Sequence, residues 1–220
     1  MTGPLAIDHL FLFVDPDGAA IRSLEQAGLV ESYRRGHPGQ GTANVCYCFD
    51  NAYVELLWVT DLGELNSPGT ARTRLAQRAD WRRNGSCPFG IALRGDSPLP
   101  FETWDYRPLY LPPGMAIPVA LSSEDPRQPL MFRSPGNSRP DQWPDGSAAD
   151  RQRGAGLAAI TGMELAFPRA VRPSADLRAI ESLGLLTIRE GADAYAITLA
   201  LSRTDGSPGH SLNLPELSLS

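Results

Sequence analysis

Lysine is missing from all 220 residues, so each of the 20 basic side chains is an arginine. Chemistry that needs a primary amine on a flexible stem is excluded with it: no Schiff-base lysine, P-loop lysine or kinase-type lysine is available. Histidine and cysteine are scarce, at three each. An odd cysteine count, with Cys46 and Cys48 two apart in a strand-like run, predicts reduced thiols in a cytoplasmic protein, and Cys87 alone adds little toward a thiolate metal site. No GxSxG elbow, HExxH helix, CxxC pair or Walker sequence occurs, which weighs against serine hydrolases, zincins and NTPases. Clustered positive charge is lacking as well. The net charge is −5, and Arg34–Arg35 and Arg82–Arg83 are only pairs, so no nucleic-acid partner is expected. Long hydrophobic runs are absent: Asp8 and His9 interrupt the apolar stretch of MTGPLAIDHLFLFVDPD, and neither a secretion signal nor a membrane partner is expected.

Glycine and proline are abundant, at 21 and 20 residues, which predicts many turns and short strands and disfavours a helical bundle. Residues 5–14 (LAIDHLFLFV) read as a strand. A helix of about three turns follows, with Asp15 or Asp17 as its cap, Ala20, Ile21, Leu24 and Ala27 as its apolar stripe and Gly28 as its stop. Further strands are expected near 29–34, 45–49 and 52–60, around a Gly-rich loop GHPGQGTAN at 36–44. The same order recurs from 160: a strand ITGMELAF, a helix capped by Ser174 with Leu177, Ile180 and Leu183 inward and Gly184 as stop, then three more strands. IRSLEQAGL (21–29) and LRAIESLGL (177–185) match in their apolar positions, an internal repeat of a domain-sized unit. The expected organisation is a first βαβββ module at 1–60, a middle segment at 61–159 and a second βαβββ-type module at 160–220, all in one unit. The middle carries a helix-like stretch at 70–83, strands near 89–96, 115–121 and 129–133, and a polar connecting loop at 134–156.

Two ionisable residues sit where apolar ones are expected. Alternation places His9 with Ile7, Phe11 and Phe13, leaving Asp8, Leu10, Leu12 and Val14 on the other face. Glu55 interrupts AYVELLWV and falls with Tyr53, Leu57 and Val59. Burying a carboxylate costs several kcal/mol or more unless it is paired, hydrogen-bonded or metal-bound, so an acid in that run requires an explanation. If the two strands are neighbours, His9 and Glu55 share one concave face, as a divalent-metal site, an acid–base pair or a structural hydrogen bond. The Gly-rich loop reads either as a wide turn or as a flap whose His37, Gln40 and Asn44 meet a polar ligand. Its glycine spacing fits no dinucleotide fingerprint, so no nucleotide cofactor is expected. His210, in SPGHS, reads as an exposed loop residue. Aromatic residues in or near strands, Tyr53, Tyr106 and Tyr110 among them, read as core or as the lining of an apolar pocket.

IDHLFLFV (7–14) and YVELL (53–57), separated by a helix and by GHPGQGTAN, resemble the glyoxalase-like branch of the vicinal oxygen chelate superfamily, which also holds bleomycin-resistance proteins and extradiol dioxygenases. The resemblance is good over 5–60 and weaker through FGIALRGD, PLMFR and the C-terminal repeat. It implies an α+β fold in which paired βαβββ modules form a curved, half-open barrel around a cavity. It implies a divalent metal ion (Zn, Ni, Fe or Mn) with His9 and Glu55 in the first-strand and last-strand ligand positions. The departures are that Gly162 and Gly90 stand where further histidines would, and PLMFR offers no carboxylate. His37, Glu164 and Glu216 are the remaining candidate donors. The implied activity is a lyase, isomerase or dioxygenase acting on a small oxygen-bearing substrate through His9 and Glu55. The alternative is a binding protein that sequesters a small molecule without chemistry, as a cytoplasmic monomer or homodimer.

Overall fold

Strand β1 (Ala6–Phe13) lies at the centre of the architecture because both of its edges are paired. On one side it runs parallel to β4 (Tyr53–Val59), His9 opposite Tyr53 and Phe11 opposite Glu55. On the other it runs antiparallel to β5 (Phe89–Arg94). The structure is a computed structural model and describes residues 3–16 and 18–214, without the side chain of residue 210. Beyond β4 come β3 (Thr42–Cys48) and β2 (Tyr33–His37), and beyond β5 come β8 (Leu130–Arg133), β7 (Ile117–Ala120) and β6 (Thr103–Tyr106). The eight-stranded order β2-β3-β4-β1-β5-β8-β7-β6 reads the same way outward from the β1/β5 centre, and the fold is α+β: a large curved sheet that does not close into a barrel.

The C-terminal repeat keeps its element order but not its sheet order. Strands β9 (Leu157–Pro168), β10 (Thr187–Ala192), β11 (Ala196–Arg203) and β12 (Pro208–Asn213) form a separate sheet, β10-β9-β11-β12, in which β9 pairs directly with β10. The strands that continue the first module's sheet therefore come from the middle of the chain, at 89–133. Matching helices and glycine stops carry no information about which strand edges meet, which explains why the repeat suggested a different pairing. Residue 210 lies in β12 rather than in a loop.

Alternation separates two cores. Leu10, Leu12, Val54, Leu56, Ile91 and Met131 point to the rear of the large sheet and join Leu165, Ile197 and Leu199 of the small sheet in one apolar cluster. Helices α1 (Ala19–Gln26) and, near the C-terminus, 175–182 fill its edges with Leu24, Leu177 and Ile180. Phe11, Phe13, Leu57, Ile117, Val119 and Leu130 face the front. Helix α1 is two turns long and begins at Gly18 without a side-chain cap; Asp15 pairs instead with Arg82, and Asp17 is outside the described residues. Ala27 and Leu183, expected inward, are exposed because each helix ends a residue early, at its Gly28 or Gly184 stop with positive φ.

The helix-like stretch at 70–83 is broken into a 3-10 turn at Ala71–Thr73, α2 (Leu75–Ala79) and α3 (Trp81–Asn84). The break delivers Arg78, fully buried, to the connection between β7 and β8. Its guanidinium donates to the backbone carbonyls of Ser123 (2.7 Å), Pro126 (3.1 Å) and Gln128, with longer contacts to Cys87 and Asp125. Burial pulls its pKa down to about 10, which leaves it charged at neutral pH. Each stranded buried acceptor costs about 1–3 kcal/mol, so Arg78→Met is expected to lower stability by about 3 kcal/mol. Urea unfolding checks this: the midpoint falls while the slope is unchanged.

Candidate functional site

The front of the large sheet encloses a cavity of about 430 Å³. Its polar wall belongs to the first half of the sheet. His9 and Glu55 both line it, 6% and 7% exposed, with His9 Nε2 3.6 Å from Glu55 Oε2. Asp8 joins them, contrary to simple alternation. The β1/β5 register slips between Ile7 and His9, so Ile7 packs to the rear while Asp8 and His9 both turn to the cavity. Asp8 Oδ2 lies 2.8 Å from His9 Nδ1, and its other oxygen is 3.8 Å from Arg94 Nη1. An ionised carboxylate only accepts, so the ring proton belongs on Nδ1 and Nε2 faces Glu55 and the cavity.

Glu55 is held from the next strand. Asn44 Nδ2 donates to Glu55 Oε1 at 2.6 Å, and Asn44 Oδ1 accepts from the Arg35 backbone N–H. The imidazole of His9 stacks on Tyr53 (centroids 4.4 Å apart, 19° between planes) and meets the edge of Phe132 at 5.5 Å. Asp8 on one nitrogen, rings on the face and edge, and Glu55 ahead leave the ring a single orientation. Burial raises the pKa of the Tyr53 phenol well above its usual range, so it stays protonated.

GHPGQGTAN is neither a wide turn nor a flap. β2 runs to His37 and β3 begins at Thr42, leaving a tight hairpin turn whose Gly39 and Gly41 take positive φ; a Cβ on Gly41 would come within 2.1 Å of the Asp61 carbonyl. Strand pairing and that close approach drive His37 and Gln40 under the sheet, buried. Thr42 Oγ1 lies 3.0 Å from His37 Nδ1 and accepts from Gln40 Nε2 at 2.8 Å. Gln40 Oε1 accepts from the phenols of Tyr106 (3.0 Å) and Tyr110 (3.3 Å). His37, Gln40, Asn44 and Tyr53 thus line the same cavity as His9 and Glu55.

The second half of the sheet contributes the apolar wall: Ile117, Val119, Leu130 and Phe132. Gly90 sits across from Phe11, and a Cβ there would fall 2.0 Å from the Phe11 ring, which occupies the place a further ligand side chain would need. Asp8 and Trp143 are lining residues that the sequence pattern does not reveal. Asp8 was hidden by the register slip. Trp143 was hidden in the polar segment 134–156, which is not merely a connector: its residues 134–138, 143–145 and 147 line the cavity, and Trp143 packs on Tyr53 (5.6 Å) and Tyr33 (6.0 Å). A tryptophan within a Pro/Gly/Ser/Asp-rich stretch was the available signal. Cys46, Cys48 and Cys87 are free and buried, and burial pushes the Cys48 and Cys87 thiols up to about 11 and about 12, so no thiolate nucleophile stands ready.

The donor set does not fit a catalytic divalent metal. Such an ion takes three or more protein ligands, and no group of three His, Cys, Asp or Glu side chains able to hold one exists among the described residues. His9 gives one nitrogen to Asp8, and one Glu55 oxygen is engaged by Asn44. His37 is turned toward Thr42; Glu164 lies on β9 and accepts from Arg189 at 2.8 Å; Glu216 is outside the described residues.

Residues 7–100 match the family model described as the Glyoxalase-like domain. That stretch, less than half of the chain, is similar to a glyoxalase-like domain. The family described by that model is part of the vicinal oxygen chelate superfamily, and the matched stretch runs from within β1 through β5 and includes His9, His37, Gln40, Asn44, Tyr53 and Glu55. No curated protein matches the chain. The crystal structure of a hypothetical protein from Staphylococcus aureus aligns with 93% of this chain and 98% of its own, at 11% identity and a TM-score of 0.47. Among the described residues, no helix is long and apolar enough to cross a membrane.

Desolvation lowers the pKa of His37 below its ordinary 6.5; Arg35 on its own strand and His9 on β1 act in the same direction, Glu55 on β4 opposes them, and the Tyr106 and Tyr110 phenols are neutral. Below pH 6.5 the unfolded chain takes up a proton that the folded one resists, so this contribution to stability is intact above 6.5 and is lost as pH falls toward the depressed value. The slope is at most about 1.4 kcal/mol per pH unit. Thermal unfolding between pH 7.5 and 5 is expected to show a shallower fall of Tm for His37→Gln than for the unsubstituted protein.

Proposed function

We propose that this glyoxalase-like protein is an enzyme that moves a proton on a small oxygen-bearing substrate, using the Asp8–His9–Glu55 group directly and without a divalent metal. The observation that carries this reading is the placing of three ionisable side chains, each almost wholly buried, around a cavity of substrate size. Binding alone does not require them. Burying such groups costs stability, and a site that keeps them together while holding each in one orientation is arranged for proton transfer.

The roles follow from the hydrogen bonds. Asp8 fixes the imidazole through Nδ1, leaving Nε2 to exchange a proton with the substrate. Glu55 Oε2, 3.6 Å away, stabilises the imidazolium so formed or takes the proton itself. The apolar wall and the segment carrying Trp143 restrict water around these charges. A positioned general base contributes about 10²- to 10⁴-fold, which a pair of carboxylates around one imidazole is equipped to supply.

The second reading, sequestration without chemistry, is favoured by one feature: the second half of the sheet presents only apolar side chains at β7 and β8. Solvent deuterium uptake into a panel of small aryl and alkyl carbonyl compounds, followed by proton NMR, separates the two. Uptake at catalytic rates, reduced about 100-fold or more in His9→Gln and about 10-fold or more in Asp8→Asn and Glu55→Gln, is the expected result. Tight binding with no uptake, and affinities unchanged in the same variants, would establish sequestration instead.

Equilibrium dialysis against Zn, Ni, Fe(II) or Mn is expected to load well under one ion per chain at micromolar free metal, and chelator treatment is expected to leave deuterium uptake unchanged. Stoichiometric metal that is lost in both His9→Ala and Glu55→Gln would return the site to the metal-binding arrangement of the superfamily.

A further inference from the structure

Arg94 stands behind the Asp8–His9 pair, outside the lining of the cavity. It is the last residue of β5, and alternation there sends Ile91 and Leu93 into the rear core, so Arg94 shares the front face with Gly90 and Ala92. Its backbone is fixed from both sides. Gly95 takes a φ of 115°, a Cβ on it would lie 2.3 Å from the Pro4 carbonyl oxygen, and its N–H donates to Asn137 Oδ1 at 2.8 Å. From that anchor the side chain, only 11% exposed, reaches back to β1. Nη1 donates to the Ile7 carbonyl at 2.7 Å and lies 3.8 Å from Asp8 Oδ1.

These two contacts bracket the register slip. On the β5 side Ile7 pairs with Leu93 and His9 with Ala92, which leaves Asp8 with no residue opposite. On the β4 side pairing begins only at His9, opposite Tyr53. A bulge disrupts the ladder locally, and this one also carries a buried carboxylate. Arg94 answers both demands with one nitrogen: a donor for the carbonyl just before the extra residue, and a positive charge beside the acid that the extra residue bears. Burial lowers the pKa of Arg94 and Asp8 acts against it; farther off, Arg139 lowers it and Asp141 raises it. An arginine so placed stays charged.

We infer that Arg94 is a positioning residue, which holds the extra residue of β1 in place and so keeps Asp8 on His9 Nδ1 with Nε2 turned to Glu55 and the cavity. This rests on the proton-transfer reading of Asp8, His9 and Glu55 and adds to it a residue that does not meet the substrate. Without the guanidinium, the Asp8 carboxylate keeps His9 as its one cationic neighbour among the described residues, in a site almost closed to water. The bulge then relaxes, the carboxylate leaves Nδ1, and the imidazole loses its single tautomer.

The test uses the full chain and begins without a ligand. Long-range proton–nitrogen correlation spectra of protein labelled with nitrogen-15 histidine, recorded where the ring is neutral, report which nitrogen of His9 carries the proton. Protonation at Nδ1 is expected in the unsubstituted protein, a tautomer mixture in Arg94→Met, and a return to Nδ1 in Arg94→Lys, which keeps a charge and a donor. Methyl signals of Leu10 and Ile91 report that the rear core is intact. A His9 spectrum unchanged in folded Arg94→Met overturns the inference, however much stability that substitution removes. The second measurement does not need the Met variant to fold. In protein labelled with nitrogen-15 arginine, the signal missing from Arg94→Lys is that of Arg94, and its two Nη groups are expected to be separately resolved because a held guanidinium rotates slowly. One averaged signal, as for a solvated arginine, overturns the inference. Deuterium uptake is expected to fall about 10-fold or more in Arg94→Met, in kcat rather than KM, and to recover in Arg94→Lys. A His9 tautomer that follows the charge at position 94, without deuterium uptake in any protein, supports the positioning role and removes the proton-transfer reading instead.

Discussion

The register slip at Asp8 is the constraint on which the site depends. Strict alternation along β1 would send Asp8 into the rear apolar core beside Leu10 and Leu12, where a carboxylate would lack partners. The irregularity between Ile7 and His9 turns Asp8 to the front, where it meets His9 Nδ1 and the guanidinium of Arg94. One extra residue thus resolves a burial problem and fixes an imidazole at the same time. The pairing of β1 with β4 then completes the arrangement. His9 lies beside Tyr53, on which it stacks, and Glu55 follows two residues along the same face.

The two halves of the large sheet share a strand order but not a chemistry. In the first half, β1, β3 and β4 present Asp8, His9, Asn44 and Glu55; in the second, β7 and β8 present Ile117, Val119, Leu130 and Phe132. Glycine at position 90 is part of this asymmetry, since the ring of Phe11 fills the space where a side chain would stand. The cavity is consequently two-sided, with a polar wall in the first half of the sheet and an apolar wall in the second. Trp143 lines the cavity beside this polar wall and packs on Tyr33 and on Tyr53, the ring on which His9 stacks.

Much of this was legible in residue order. His9 and Glu55 stood out because each interrupts an apolar strand, and the N-terminal pattern of strand, helix and three strands is what the chain forms. Strand pairing was less accessible. The matching helices at 21–29 and 177–185 pointed to the C-terminal repeat as the partner of the first module, whereas the adjoining strands are the short, proline-interrupted ones at 89–133. Those strands span four to six residues each, and their pairing is dictated by the exposed edge of β1 and by the buried Arg78 that gathers the carbonyls before β8, neither of which leaves a periodic trace. The polar network of Gln40, Thr42 and His37 was visible as composition but was assigned to an open loop; the tight hairpin and the close packing of Gly41 on Asp61 place it inside.

The separate C-terminal sheet has a physical role that does not require it to touch the cavity. A front face that holds Asp8, His9, Glu55, His37 and Gln40 in near-complete burial forfeits apolar contact that a small protein ordinarily uses for stability. The rear face recovers it. Leu10, Leu12, Leu56, Ile91 and Met131 are covered by Leu165, Ile197 and Leu199, and burying such side chains is worth about 1.5–3 kcal/mol each. The alternation of β1 therefore divides its labour: His9 and Phe11 line the cavity, and Leu10 and Leu12 pack toward the second sheet. A polar substitution at Leu10 or Leu56 acts on the site through that rear contact, since the backbone that sets the spacing of His9 and Glu55 is the same backbone that packs against the C-terminal sheet.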